Sequence, residues 1–214
     1  LQAVPAIIAS FVLAIPIARL ARVARPLRAV LVTGSSLLYA VPSLALFVIL
    51  PIILATGIRD PLNVIVALTL YGLALLVPAT ADALDAVDAR VLDAATAMGM
   101  GRLRCFLTVE LPLAGPAILT GLRVVTVSTI SLTTVGAVLG VRSLGWLFTD
   151  GFQRGITAEI VTGLVATAAL ALVLDGLVLA LGRLCLPWTW KRANAGAVPA
   201  GACAAASNSQ EGKA

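Results

Sequence analysis

Asp93-Ala94-Ala95-Thr96-Ala97-Met98-Gly99, followed after nine residues by Val109-Glu110-Leu111-Pro112, is a polar, helix-prone island between long apolar runs. From Asp82 to Met98 the apolar positions recur at helical spacing: Leu84, Val87, Val91, Ala94 or Ala95, and Met98. Asp82, Asp85, Asp88 and Asp93 fall mostly off that stripe, so the pattern predicts one amphipathic helix over 82–98. Gly99 and Gly101 interrupt it, a natural place for a C-terminal stop and a reversal of direction. Small residues and a terminal glycine make such a helix a knob that can seat in a partner's cleft. Ala94 and Ala95 permit close approach, and the Asp93 carboxylate suits a helix N-terminus or a partner's arginine. A solvated loop helix is the plainer reading of the same residues.

The surroundings decide the fold class. Of 214 residues 60% are hydrophobic and 12% charged, with mean hydropathy +1.07. A soluble domain carries about 25% charged residues, so this chain has too few to cover a globular surface. Apolar runs recur as far as residue 182, which a signal peptide cannot explain. Crossing a bilayer takes about 20 apolar residues, and without water to satisfy the backbone such segments must be helical. Val4 to Ala18, Ala29 to Ile58, Leu62 to Ala81, Leu111 to about Val141, and Ile160 to Gly182 are the predicted spans. The second is long enough for a bend near Pro42 or Pro51. The alternating ten-residue strands of a membrane barrel are absent. The expectation is an all-α integral membrane protein with about five transmembrane helices. The chain begins at Leu1, and the short first span leaves room for a further segment before it.

Arginine and lysine set the expected orientation. Arg19, Arg22, Arg25 and Arg28 crowd one connection; Arg90, Arg102 and Arg104 sit in the third; Arg183, Lys191 and Arg192 follow the last span. The opposite side receives Arg59, Arg142 and Arg154. This places the N-terminus outside, and the Asp93 segment and C-terminus in the cytoplasm. Residues 188–214 read as a cytoplasmic tail, disordered from 193 on by their Ala, Gly and Ser content. Trp188 and Trp190 suit an interfacial anchor.

Several chemistries are excluded. There is no histidine, which removes imidazole metal sites and histidine-based nucleophile pairs. Cys105, Cys185 and Cys203 show neither disulfide nor metal spacing. No G-x-x-x-x-G-K-[ST] occurs, so the chain cannot hydrolyse ATP by a P-loop mechanism. The net charge of +5 reads as membrane topology rather than nucleic-acid binding.

The joint spacing around Asp93 resembles the cytoplasmic loop of type I ABC-transporter permeases, whose pattern is E-A-A, three residues, G, nine residues, then I-x-L-P. Asp93 stands for the Glu and Val109 for the Ile. The resemblance extends over residues 1–187 and is nearest the permeases of osmoprotectant importers, which move glycine betaine, carnitine, choline or proline-type solutes. Tyr39-Ala40-Val41-Pro42-Ser43-Leu44-Ala45-Leu46 is similar to that subgroup's I-P-S-L-A-L stretch. Pro61 through Leu70 with Tyr71 is similar to its P-x-x-I-V-A-L-x-L-Y. Met98-Gly99-Met100 and Leu144-Gly145-Trp146 with Gly151 fit its loop and outer segment. Departures are Asp93 for Glu, which keeps the charge, Val141-Arg142-Ser143 where a glycine pair is usual, and Gly101 for a polar residue.

The resemblance implies a type I permease with a coupling segment at 82–110, in which Asp93, Ala94, Ala95, Gly99, Val109, Leu111 and Pro112 contact a separate ATPase. ATP and magnesium would be bound by that ATPase, leaving no cofactor and no catalysis in this chain. It further implies a second permease subunit, identical or related, an extracellular solute-binding protein and lipid as partners. A methionine-type importer subunit and a secondary transporter remain as alternatives.

Ionisable groups inside the spans are costly unless paired or wet. Arg123 lies about 16 Å along its helix from Pro112, and Asp175 about 12 Å from Arg183, at 1.5 Å per residue. Their similar depth suits an interhelical pair or a lining of the pathway, and Arg123 alone could also snorkel to the interface. Ser128, Thr129, Ser131, Thr133 and Thr134 make a hydroxyl-rich stretch that can bond back to helix carbonyls or face a solute path.

Overall fold

The computed structural model describes residues 2–186 apart from 24, 58, 59 and 142. The expected tail, with Trp188, Trp190, Lys191 and Arg192, lies outside the described residues, as do Arg59 and Arg142. Those described form helices and short connections: α1 (Ala3–Val23), α2 (Arg25–Ala40), α3 (Ser43–Leu54), α4 (Pro61–Asp85), α5 (Ala89–Ala97), α6 (Arg102–Cys105), α7 (Leu111–Val135), α8 (Trp146–Arg154) and α9 (Thr157–Cys185). A π turn, Phe106–Glu110, joins α6 to α7, and a 3₁₀ turn, Gly136–Leu139, follows α7.

The bundle is built around α4, which packs against α1, α2, α3 and α7 and buries Val64, Leu68, Leu76, Val77 and Leu84. Asp60 starts this helix by accepting the Leu62 N–H at 2.9 Å, with Pro61 in the first turn, where its missing N–H costs nothing. Buried Asn63 fixes the preceding loop: its amide donates to the Gly57 carbonyl at 2.8 Å and its oxygen accepts from the Thr56 hydroxyl at 2.6 Å. By contrast α9 packs mainly along α7 and α8, with Ala171 and Leu174 against Ala3 and Ile7 of α1, and turns Leu164, Val165, Leu172, Val173 and Leu181 outward. Such a surface would aggregate in water and is at home among lipid tails.

Close approach of α1 to α4 depends on small residues. Ala6, Ser10, Ala14, Ala18 and Ala21 of α1 are all 0% exposed, and Gly72 of α4 faces Ser10, whose hydroxyl lies 2.7 Å from the Ala6 carbonyl and 3.2 Å from that of Thr69. A Cβ at Gly72 would sit 2.7 Å from Ser10 Cβ. Gly72→Ala should therefore cost about 1–3 kcal/mol through overpacking, read as a lower unfolding midpoint in detergent. Adding Ser10→Gly should recover most of that loss; failure to recover would mean the contact is not the cause.

Among the described residues four helices are long and apolar enough to cross a membrane, and the bent pair α2–α3 makes a fifth if counted as one span. The chain bends there by 105°, at Val41-Pro42 rather than at Pro51, which lies inside α3. Pro42 has no N–H to continue α2, and the Tyr71 hydroxyl donates to the Val41 carbonyl at 2.5 Å.

Two sequence expectations are corrected. The helix expected over 82–98 is two pieces: α4 carries Asp82, Leu84 and Asp85 to its end, and α5 starts afresh at Ala89. Asp88 is the new N-cap, its carboxylate accepting the Arg90 N–H at 2.9 Å. Asp93 thus lies in mid-helix, not at a helix N-terminus. The fourth span starts earlier than Leu111: the helical path runs 38 residues, Arg102–Leu139.

Candidate functional site

The α5 segment is a short helix with a left-handed stop. Gly99 has φ +80°; its N–H donates to the Thr96 carbonyl at 2.9 Å, and that of Met100 to Ala95 at 3.2 Å. This paired closure needs a residue tolerant of positive φ. Asp93 and Ala94 are exposed, whereas Ala95 is 2% exposed and turned inward. The apolar stripe is divided accordingly. Leu84 and Val87 belong to the core around Ala18, Ala81 and Phe106, while Val91 (42%) and Met98 (71%) stand exposed. Val91, Ala94 and Met98, spaced at i, i+3 and i+7, share one outward face.

The Val109-to-Pro112 stretch has a different place from Asp93. Val109, Leu111 and Pro112 are half-buried, and Leu111 packs on that same core. In the π turn the Leu111 N–H reaches back five residues to the Phe106 carbonyl. The following Pro112 has no N–H to offer the preceding turn, and π turns recur at such interruptions and at functional sites.

An ion network unseen in the sequence ties the helix ends beside α5 together. Arg22 of α1 pairs with Glu110 of the π turn and lies 3.4 Å from Asp85 of α4. Arg28 of α2 pairs with Asp85 and reaches Asp82 at 3.9 Å. Arg19 lies over the Phe106 ring, 4.3 Å from its centroid. The network therefore links α1, α2, α4 and the root of α7. A force applied to α5, which touches α6 and the π turn, meets a joint common to most of the bundle.

Within the spans the structure brings Arg123 and Asp175 together. Nε and Nη2 of Arg123 donate to the two carboxylate oxygens, both at 2.7 Å, in a bidentate fork between α7 and α9. The hydroxyl stretch divides. Thr133 and Thr134, like Thr126 ahead of the stretch, donate to the carbonyls of Thr129, Ser131 and Leu122 respectively, and Thr129 is buried at 2%. Ser128 and Ser131 instead line a pocket of about 340 Å³ with Tyr39, Val41, Ser43, Tyr71 and Leu132. A larger crevice of about 630 Å³ between α1, α7 and α9 is lined by side chains such as Phe11, Leu119, Leu122 and Leu177. Its apolar walls suit lipid chains and offer a polar solute nothing.

This arrangement, a helical bundle with a broken span and a short exposed helix beside its helix ends, has the fold of an ABC transporter's membrane subunit. A chain of the MetNI methionine ABC transporter, inward facing, superposes with TM-score 0.71 at 21% identity, covering 87% of this chain and 90% of that one. Residues 6–190 match the family described as binding-protein-dependent transport system inner membrane component, and the chain belongs to that family. It is 31% identical over 162 residues to the choline transport system permease protein OpuBD of Bacillus subtilis (strain 168), covering 75% of this chain and 70% of that protein. To the osmoprotectant import permease protein OsmY of Salmonella typhimurium it is 34% identical over 148 residues, covering 69% and 61%. To the ergothioneine transport permease/ergothioneine binding protein EgtU of Helicobacter pylori (strain G27) it is 33% identical over 148 residues, covering 69% of this chain and 26% of that protein. The chain thus spans about a quarter of EgtU's length and roughly two-thirds of the others. It is a multi-pass membrane component of a transport system.

Proposed function

We propose that this chain is the transmembrane permease subunit of an ATP-driven importer for osmoprotectants, the class of glycine betaine, carnitine, choline and proline-type solutes. The carrying observation is the likeness to named osmoprotectant permeases over two-thirds to three-quarters of the chain. Choline, carnitine, glycine betaine and ergothioneine, the solutes named for several relatives, all bear a trimethylammonium group. That shared head defines the solute class better than any one name.

In this reading α5 is the cytoplasmic coupling helix, the N-terminus lies outside, and the C-terminus lies inside. Val91, Ala94 and Met98, with Asp93 beside them, meet a separate ATPase that binds ATP and magnesium. This chain has no P-loop and does no hydrolysis. The described residues hold five spans at most, too few for a single copy to enclose a gated path, so a second permease subunit completes it, and an extracellular binding protein delivers the solute.

The test is a tagged pull-down of the intact complex together with solute uptake under high salt. An ATPase and a solute-binding protein should co-purify. Deleting this chain and its paralogues should abolish the matching uptake of radiolabelled glycine betaine, choline or carnitine. Uptake of all three that persists after the deletions rejects the solute class.

A further inference from the structure

We propose that the pocket at the α2–α3 break is a transient binding site for a quaternary-ammonium head, which rests on the ring of Tyr39. The inference depends on the solute class proposed above and locates it in this chain. The protein has two tyrosines, Tyr39 and Tyr71, and they meet edge to face, with centroids 6.2 Å apart and planes at 83°. Tyr71 is 3% exposed and its hydroxyl is committed to Val41, whereas Tyr39 is 50% exposed. In a T-shaped pair one ring can cover at most one face of the other, so a face of Tyr39 stays free for a cation.

The break leaves open backbone carbonyls beside that ring. Pro42 interrupts α2, and among the described residues the carbonyls of Tyr39 and Ala40 accept no backbone hydrogen bond. They form the negative end of a helix. Tyr71 lies ten residues into the 25-residue α4, about 15 Å from its start, near mid-membrane depth. Unsatisfied carbonyls there are tolerated only where backbone is covered by protein or lines a wet cavity.

The side chains opposite complete a solute site. The hydroxyls of Ser43, Ser128 and Ser131 make no hydrogen bond within the described chain, unlike those of Thr126, Thr133 and Thr134 on the same α7. They can donate to the carboxylate or hydroxyl that accompanies a trimethylammonium head. No carboxylate among the described residues lines the pocket, so a cation is attracted without being trapped, as passage requires. Its volume, about 340 Å³, is at the small end for ligand pockets.

The test separates the site from the solute class. In the full complex in lipid nanodiscs, with Cys105, Cys185 and Cys203 replaced by alanine, Ser131→Cys should react with the trimethylammonium-ethyl methanethiosulfonate about fivefold or more faster than with a neutral reagent of equal size. Tetramethylammonium should protect it. Tyr39→Leu should erase the preference, and Tyr39→Phe, which keeps the ring, should retain most of it. In proteoliposomes Tyr39→Leu should lower glycine betaine moved per ATP hydrolysed by a similar factor. Equal labelling rates, or a preference that survives Tyr39→Leu, overturn the site while leaving the solute class standing. The expected labelling beside a wild-type complex that moves no quaternary-ammonium solute supports the site and overturns the solute class.

Discussion

Arg123→Glu should remove most folded protein from the membrane, and Asp175→Arg in the same chain should bring it back. The native fork holds two N–H···O contacts of 2.7 Å between α7 and α9. Reversal sets two carboxylates against each other in a place with little water. The Arg123 side chain is 40% exposed and that of Asp175 18%, so the cost of an unpaired charge here is that of facing lipid, where ionisable groups are tolerated only when paired or wet. The α9 helix is otherwise held mainly along α7 and α8, with Ala171 and Leu174 touching α1, which leaves few other contacts to compensate. Size-exclusion profiles of detergent extracts should show a clear loss of the folded peak for each single reversal. Swapped charges that fail to restore the peak would show that the fork is not what holds α9. A second variant separates scaffold from pathway. Arg123→Met with Asp175→Leu removes both charges, and such exchanges are often neutral for stability. Retained uptake there means the pair only fixes the bundle; a folded complex without uptake assigns it to the path.

The pairing of Arg123 with Asp175 was legible because a membrane helix is a ruler. At 1.5 Å per residue and with fixed boundaries, two charges on separate spans can be compared in depth from their positions in the sequence alone. The ion network at Arg22, Arg28, Asp82, Asp85 and Glu110 was not, since nothing local announces which helix ends converge. The break between α4 and α5 was hidden by a stripe whose 3.6-residue period runs on through Ala86 to Asp88. The one local sign was Asp88 itself, an N-cap residue just ahead of a helix-prone run. Hydropathy placed the start of the fourth span at Leu111 because Arg102 and Arg104 end the apolar run, but helix hydrogen bonding does not stop where apolarity does. The Tyr39–Tyr71 pair depends on the 105° bend; Pro42 and Pro51 were equal candidates for it until packing against α4 chose between them.

Met98→Asp should detach the ATPase without harming the chain. Met98 is 71% exposed and lies on the outward face of α5 with Val91 and Ala94, so a carboxylate there remains solvated when no partner is bound. Within a docked interface the same carboxylate would be stripped of water and left unpaired, at several kcal/mol. At 1.4 kcal/mol per decade of affinity, co-purification of the ATPase should fall about a hundredfold and uptake should be lost, while the permease keeps its level and elution volume. Ala95→Asp should act differently, because Ala95 is 2% exposed: the charge would disrupt the segment's own packing and lower the yield of folded chain. Phe152→Asp supplies the opposite control. Phe152 is 80% exposed on α8, and if α5 is the docking helix the same charge there should leave the ATPase attached. Retention of the ATPase by Met98→Asp, or its loss with Phe152→Asp instead, would assign the coupling surface to the wrong end of the bundle and reverse the orientation proposed from the arginines.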